Sequence, residues 1–339
     1  MPQPFNNQDK FPLVWIEVGR RLPRYFRNNS RLTGYLNPQL KQYLLHDKNI
    51  ALPNCTNVLA SSLEKSELTS EFEKIITPSQ FKDAMFWKLS TSRFFYLYDL
   101  MLAMDWHQVL HLESDCLILK TDFLKDLVES NQEFLAYPTF SQDQASGAVF
   151  LVKSRKLLQE FLSHVIEKVR YEWKNDMVLL SEFAVQQKSI LLPSHFNSSA
   201  AQIFDAGNLA PIFLGLDARN NRVPFSSRGV STEISNRLSS SDLLSRERWE
   251  IKVGKSEINL TYKNINREVF ELQNLHLHGK RIPASLFQLS KILQRGFKGK
   301  RTKIWYLGHL DINVFAERIT SFVWRKFLKR GDFTKINFR

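Results

Sequence analysis

Two carboxylates follow a short apolar run near residue 110. Residues 109–112 are typical of a buried strand, and Glu113 and Asp115 come directly after it. Residues two apart in extended backbone point to the same side, so we expect both carboxylates at one end of this strand. Open α/β sheets bind ligands at the carboxyl ends of their strands. The pair could hold a divalent cation, and through it the phosphates of a nucleotide, or it could be a solvated acidic turn.

A second polar segment lies near residue 276. His276 and His278 are two apart in a segment predicted to be a strand, and Gly279 and Lys280 follow. Imidazole can complete the coordination of a metal held by carboxylates, and a lysine can neutralise a phosphate. Together with the two carboxylates, this segment predicts a site with a cation-binding and an anion-binding part. The alternative is a set of polar residues on an exposed hairpin.

Strands and helices alternate along the chain up to about residue 190, which predicts a mostly parallel α/β sheet flanked by helices. Apolar runs predict strands at residues 13–19, 42–47, 109–112, 133–137, 147–152 and 189–192. Helical spacing and capping residues predict helices at 67–76, 79–106, 121–130, after Ser154, and at 175–187, with Thr91 and Ser92 as a possible break. We expect residues 23–38 to be an irregular crossover. Residues 249–253, 256–264 and 268–278 predict a small antiparallel extension, after a polar, turn-rich segment at 197–245.

The composition favours a globular protein without a disulfide framework or a membrane span. The chain has 339 residues, of which 43% are hydrophobic and 24% charged, so it can bury a large core. Two cysteines far apart in sequence, Cys55 and Cys116, exclude a disulfide framework and favour a reducing compartment. No apolar run reaches about 18 residues, so we expect neither a secretory signal nor a membrane span, and we expect a cytoplasmic protein.

The net charge of +13 is concentrated in the C-terminal tail. From Lys291 onward there are 13 Lys and Arg residues against three acids. Apolar residues at 312–327 recur at helical spacing, which predicts a basic helix. Such a helix could lie peripherally on the anionic inner face of a membrane, at about 1 kcal/mol for each basic residue, or dock on the main domain. Specific nucleic-acid binding is not expected, because the tail contains no recognised reading motif.

Four segments occur in an order that resembles one enzyme family. Residues 109–115 read V-L-H-L-E-S-D, and Arg93 opens an R-F-F segment upstream. Residues 204–206 read F-D-A, followed at 214–220 by L-G-L-D-A-R-N, and residues 274–280 read N-L-H-L-H-G-K. This order resembles GT-A fold glycosyltransferases of certain bacterial families, in which H-L-E-x-D is a variant of the D-x-D motif. The resemblance spans roughly residues 13–285.

The resemblance implies roles for individual residues. Asp115 would be the principal ligand of a divalent metal, with Glu113 a second ligand or a partner of the nucleotide ribose. His278 would complete the metal shell or meet the diphosphate, and Lys280 would stabilise the leaving nucleoside diphosphate. Arg93 would be a partner of the diphosphate or a structural residue. The first acid is Glu where Asp is common, so the identity of the metal, Mn²⁺ or Mg²⁺, and the need for it stay open.

An inverting transfer would also need a carboxylate as general base near the acceptor hydroxyl. Asp176, at a predicted helix start, and Asp205, in the F-D-A segment, are the two candidates. Asp176 could instead be the N-cap of its helix, since Asp favours that position. Asp205 could instead bind a sugar.

These observations predict a metal-assisted glycosyltransferase of polysaccharide biosynthesis. Its GT-A-like (Rossmann-like) domain would span residues 12–285, and a basic helical extension residues 290–339. It would use a nucleotide sugar, UDP-linked, and a hydroxyl of a glycan or glycolipid as acceptor. One alternative is a non-catalytic membrane-associated binding protein with the same fold. A nucleotidyltransferase is disfavoured because residues 19–22, G-R-R-L, are not a glycine-rich phosphate loop.

Overall fold

The structure is a computed structural model, and it describes residues 11–75, 84–130, 132–141, 143–186, 189–194, 201–207, 249–253, 257–264 and 266–276. His278, Lys280, most of the turn-rich segment at 197–245, the expected boundary near residue 285 and the basic extension lie outside these ranges. What the sequence predicts for them stays a prediction.

The central sheet is mostly parallel, as the alternating pattern predicted. Its eight strands are β1 (Leu13–Glu17), β2 (Gln42–His46), β3 (Thr56–Leu59), β4 (Val109–Leu112), β6 (Leu135–Ser141), β7 (Gln144–Ala145), β8 (Val149–Val152) and β9 (Ser189–Leu192). They are arranged in the order β3-β2-β1-β4-β8-β6-β7, with β9 beside β6. The pairs β1–β2, β2–β3, β1–β4 and β6–β9 are parallel, whereas β8 runs antiparallel to both β4 and β6. The carboxyl ends of β1, β2 and β4 therefore share one edge.

Helices cover both faces of this sheet. They are α1 (Phe26–Leu36), α2 (Glu67–Ile75), α3 (Ala84–Ala103), α4 (Asp122–Glu129), α5 (Arg155–Tyr171) and α6 (Asp176–Gln186). Along β1, Val14 and Ile16 pack in one apolar cluster with α3, α5 and α6, while Leu13 and Trp15 pack in another with α1. Burial on both faces explains why these strands are almost continuously apolar. Within the described ranges, no helix is both long and apolar enough to cross a membrane.

Two of the sequence expectations for helices are wrong. Residues 23–38 contain the regular helix α1, whose buried face includes Asn29 and Thr33 and therefore reads as polar in the sequence. Helix α3 continues through Thr91 and Ser92 without a break. The hydroxyl of Ser92 donates to the carbonyl of Lys88 at 2.6 Å, so it is satisfied within the helix.

Antiparallel strands form the predicted extension beside the main sheet. Strands β10 (Gln202–Ile203), β11 (Trp249–Val253), β12 (Ile258–Lys263) and β13 (Val269–Leu272) form a sheet in the order β10-β13-β12-β11, in which β11, β12 and β13 are antiparallel neighbours. The predicted strand at 268–278 divides at Gln273, and β14 (Asn274–His276) pairs instead with β5 (Cys116–Ile118). In that register His276 lies opposite Cys116, which places it beside the turn after β4.

The turn between β4 and β5 is held by a buried asparagine of α1. The amide of Asn29 donates to the carbonyl of Ser114 at 2.8 Å and to that of Cys116 at 2.9 Å. The hydroxyl of Thr33 donates to the Asn29 carbonyl oxygen at 3.2 Å. One side chain therefore fixes the backbone on both sides of Asp115.

Replacing Asn29 with alanine leaves two buried carbonyls without their donor. Each such loss costs about 1–3 kcal/mol, so we expect the free energy of unfolding to fall by about 2–6 kcal/mol in urea titrations followed by circular dichroism. Asn49→Ala, at an exposed position, is the matched control and should change it by less than about 0.5 kcal/mol. Equal losses in the two variants would contradict the clamping role.

Candidate functional site

Glu113 and Asp115 lie on a tight turn at the carboxyl end of β4. The amide of Glu113 donates to the carbonyl of Ala148 at 3.0 Å, and the amide of Cys116 donates to the carbonyl of Glu113 at 2.9 Å. The sequence suggested extended backbone here, and that detail is wrong. The turn brings the two carboxylates together because it reverses the chain between them.

His276 completes a cluster with these carboxylates. Its Nε2 atom lies 3.1 Å from Glu113 Oε2 and 3.4 Å from Asp115 Oδ1. One ligand atom from each residue fits within a 4.8 Å span. The histidine side chain is 7% exposed, whereas those of Glu113 and Asp115 are 23% and 20% exposed, so solvent reaches the cluster from the carboxylate side.

The donor set of this cluster fits a divalent metal. Two carboxylates and one imidazole suit Mn²⁺ better than Mg²⁺, which prefers oxygen ligands alone. The sequence pointed to the pair His276 and His278 but assigned coordination to His278. Among the described residues it is His276 that reaches the carboxylates.

The position of His276 is fixed by Asp205. The backbone amide of His276 donates to Asp205 Oδ2 at 2.9 Å, and the amide of Gly207 donates to Asp205 Oδ1 at 2.8 Å. Gly207 has φ +118°, a backbone conformation that glycine adopts without strain. The His276 ring also lies against the F-D-A segment, with Nδ1 3.4 Å from the carbonyl oxygen of Ala206.

Asn274 joins the same two segments through its side chain. Its carbonyl oxygen accepts from the amide of Asp205 at 2.9 Å, and its Nδ2 donates to the Asp205 carbonyl at 2.9 Å. The F-D-A and N-L-H segments, about 70 residues apart in sequence, thus form one hydrogen-bonded unit behind the cluster.

Arg93 connects the cluster to α6. From the buried side of α3, its Nη1 pairs with Glu113 Oε1 and its Nη2 with Asp176 Oδ2 at 2.7 Å. Asp176 begins α6 but does not cap it, so that alternative is wrong. The cap is Asn175, whose side-chain oxygen accepts from the amide of Val178 at 3.0 Å.

Charges within the cluster shift the pKa values of its members. Burial alone would raise the pKa of Glu113, but Arg93 and then His276 outweigh it and hold that pKa well below its usual range. Burial alone would lower the pKa of His276, but Asp115 and Glu113 raise it well above its usual value. Burial raises the pKa of Asp176, partly offset by Arg93. A metal that binds here must therefore displace a proton from His276.

The two candidates for a general base are both engaged in this network. Asp176 is 3% exposed and pairs with Arg93, and Asp205 is 1% exposed and accepts from two backbone amides. A base must instead reach the acceptor hydroxyl. In this geometry the two carboxylates orient Arg93 and His276, and their role as bases stays a prediction.

A basic cleft that the sequence reading missed lies at the carboxyl ends of β1 and β2. It has a volume of about 1040 Å³, and its charged lining residues are Arg20, Arg21, Arg24, Arg27, Asp47 and Lys48. The nearest sign of it in the sequence is the run of arginines between β1 and α1. Their convergence with the loop after β2 becomes visible only in the folded chain.

Comparisons with known proteins return glycosyltransferase structures at low similarity. The galactosyltransferase LgtC, solved in complex with donor and acceptor sugar analogs, matches over 57% of this chain and 76% of its own, at 12% identity and a TM-score of 0.35. WbbM, a bifunctional glycosyltransferase, matches over 57% of this chain and 40% of its own, at 11% identity and a TM-score of 0.37. The glycosyltransferase GlyE of Streptococcus pneumoniae matches over 54% and 45%, at 19% identity and a TM-score of 0.32.

These likenesses are too distant to assign an activity. The matched region spans less than half the length of the WbbM and GlyE structures. All three TM-scores lie below 0.5. No protein-family model matches the sequence, and no curated protein matches it.

Replacing Arg93 with methionine leaves Glu113 and Asp176 without their shared cation. Breaking a buried ion pair costs about 3–5 kcal/mol, so we expect the free energy of unfolding at pH 7 to fall by that amount in urea titrations. Arg155→Met is the control, since Arg155 pairs 3.3 Å from an Asp105 side chain that is 82% exposed. Exposed pairs contribute less than about 1 kcal/mol.

The stability that Arg93→Met loses relative to the wild type should also depend on pH. Because the pKa of Glu113 is lowered in the folded chain, its pairing contributes stability above the unfolded value of about 4.3 and loses it as pH falls through the lowered value. The difference between the wild type and Arg93→Met should therefore shrink below about pH 4. A constant difference, or an equal loss in Arg155→Met, would contradict this account of the network.

Proposed function

We propose that this protein is a glycosyltransferase that transfers a sugar from a UDP-linked donor to a hydroxyl of a glycan or glycolipid. The observation that carries the proposal is the convergence of Glu113, Asp115 and His276 at the carboxyl edge of a mostly parallel sheet. These residues come from two of the motifs that resemble GT-A glycosyltransferases, which lie some 160 residues apart in sequence. Two motifs that meet in one cluster fit a shared function better than a coincidence of sequence.

Asp115 and His276 are the residues we propose as metal ligands, with Glu113 as a third. Asp115 is the partly exposed member whose carboxylate is not paired with Arg93, so it is the one best placed to meet a ligand from solvent. Glu113 offers Oε2, because Arg93 holds Oε1. A bound Mn²⁺ or Mg²⁺ would supply positive charge to the diphosphate of the donor. His278 stays a candidate for a further ligand.

The leaving nucleoside diphosphate needs positive charge as the sugar–phosphate bond breaks. Lys280 follows His276 by four residues, a span of at most about 14 Å of extended chain, so it can reach the cluster. We assign it the role of neutralising the leaving group. Arg93 is 7% exposed and held by two carboxylates, and we assign it a positioning role.

Asp205 and Asp176 support the reaction through their neighbours. Asp205 holds the backbone of His276, and Asp176 holds the guanidinium that orients Glu113. Both act by keeping the ligand atoms of the cluster close together before substrate arrives, which lowers the cost of binding. We therefore treat both as positioning residues for the donor site.

Calorimetric titration of the full chain with UDP tests the donor site. We expect UDP to bind much more tightly with Mn²⁺ than in EDTA, because the diphosphate and the carboxylates repel each other without the cation. Asp115→Ala and His276→Ala should each weaken Mn²⁺-dependent binding by about 100-fold or more, beyond what loss of outer partners costs. Asp122→Ala, an exposed acid at the start of α4, should leave the affinity unchanged. UDP binding in EDTA equal to that with Mn²⁺ would contradict the assignment.

Release of UDP from a panel of UDP-hexoses extends the same test from binding to turnover. A transferase releases UDP slowly to water in the absence of its acceptor, and Asp115→Ala should abolish this release. UDP binding without release from any donor, with or without glycan extracts, would favour the non-catalytic binding protein.

A further inference from the structure

The basic cleft beside the cluster of Glu113, Asp115 and His276 carries a positive charge. A diphosphate neutralised by a metal at that cluster would not need this charge. Four arginines and one lysine line it, against the single carboxylate of Asp47. The lining residues come from the loop between β1 and α1 and from the loop after β2. The cleft therefore presents a surplus of positive charge at the sheet edge where the donor would bind.

The acids near this cleft are already engaged. The carboxylate of Asp47 accepts from the amide of Gly19 at 2.7 Å. Buried Glu17 accepts from Arg20, with Nη2 to Oε1 at 2.8 Å. Within the described part of the chain, no carboxylate lies within ion-pair distance of Arg21, Arg24 or Lys48, whose residues are exposed. Exposed cations held in one concave surface are suited to an anionic ligand.

A buried histidine belongs to the lining of the same cleft. His46, at the end of β2, lines the cleft and is 3% exposed. Its Nδ1 accepts from the amide of Lys48 at 2.9 Å and also lies 3.3 Å from the Lys48 carbonyl oxygen, so Nε2 is the ring nitrogen left for another partner. Nε2 has no hydrogen-bond partner among the described residues. Buried polar atoms are usually paired, so an unpaired ring nitrogen in the lining favours a ligand that supplies a polar partner.

The cleft adjoins the acid–histidine cluster but differs from it in chemistry. Tyr25, which follows Arg24, has its hydroxyl 3.4 Å from the hydroxyl of Ser114, between the two carboxylates of the turn. Glu113 and Asp115 attract a cation, whereas the arginines attract an anion directly. One extended substrate could therefore contact both.

We propose that the cleft lined by Arg21, Arg24, Lys48 and His46 binds a phosphate ester of the substrate directly, without a metal. Arginine forks and an N–H donor match the oxygens of a phosphate, and charge-assisted bonds of this kind are the strong ones. The phosphate is either that of the nucleotide or one carried by the acceptor. The identification of the ligand as a substrate rests on the proposed function, whereas the anion site itself does not.

Titration of the full chain with inorganic pyrophosphate in EDTA tests the anion site. We expect binding at about 0.15 M salt, where the Debye length of about 8 Å screens diffuse attraction. The double variant Arg24→Ala/Lys48→Ala should weaken it at least about tenfold, which corresponds to the loss of one charge-assisted contact. Arg31→Ala removes an exposed arginine of α1 outside the cleft and should change the affinity less than about twofold. No pyrophosphate binding, or an equal loss in Arg31→Ala, would overturn the proposal.

Competition in EDTA identifies the source of the phosphate. Displacement of pyrophosphate by UDP would assign the site to the nucleotide, and displacement by glucose 6-phosphate but not by UDP would assign it to a phosphorylated acceptor. Displacement by neither would overturn the assignment to a substrate. Asp115→Ala should keep metal-free pyrophosphate binding, so loss of Mn²⁺-dependent UDP binding with intact pyrophosphate binding separates failure of the donor site from failure of this proposal.

Discussion

The buried guanidinium of Arg93 holds together carboxylates that arrive from two distant parts of the chain. Glu113, which is partly exposed, comes from the turn after β4, and Asp176 comes from the start of α6. Asp176 is buried, and a buried carboxylate needs a cation beside it. The chain also makes room for this contact. A Cβ at Gly147 would lie 2.6 Å from Arg93 Nη2 and 2.8 Å from Phe94 Cζ, so the turn before β8 needs glycine. The turn after β4, the start of α6 and the turn before β8 thus all help to place the side chain of Arg93.

A second polar unit meets the first at Glu113. Asp205 and Asn274 hold His276 by backbone and side-chain hydrogen bonds, and His276 in turn contacts the Glu113 oxygen that Arg93 leaves available. Glu113 is therefore oriented from both sides. This arrangement leaves Asp115, which is partly exposed and not paired with Arg93, where a ligand from solvent can reach it. The motif segments are far apart in sequence because they lie on elements that meet only in the fold. Each of these segments contributes residues to the cluster of Glu113, Asp115 and His276 or to the contacts that hold it.

The sequence predicted the parts of this site that depend on apolar patterning. The strand before Glu113 reads V-L-H-L, with three apolar residues and His111, and all four residues are buried. Helix α5 combines helical spacing with Ser154, whose hydroxyl accepts from the amide of Leu157 at 3.3 Å. Helix α1 was missed because its buried face carries Asn29 and Thr33 to bind the turn, which weakens the apolar period. Strand β5 was missed because three residues are too few to show a period.

The finer details of the site depend on long-range contacts that no local pattern encodes. The spacing of His276 and His278 gave no reason to prefer the first, and only the pairing of β14 with β5 brings it to the carboxylates. The basic cleft likewise combines two loops separated by β2, so its arginines read as ordinary surface charge in the sequence. The sequence showed which acids, histidines and arginines could form a site, but it did not show which of them contact one another in the fold.

Anomalous diffraction from a crystal grown with Mn²⁺ and UDP tests the central claim most directly. The account predicts one manganese peak within about 2.0–2.4 Å of Asp115 and His276, with a diphosphate oxygen of UDP in its coordination shell. Manganese bound away from Glu113, Asp115 and His276, or UDP bound elsewhere with no metal beside it, would contradict it.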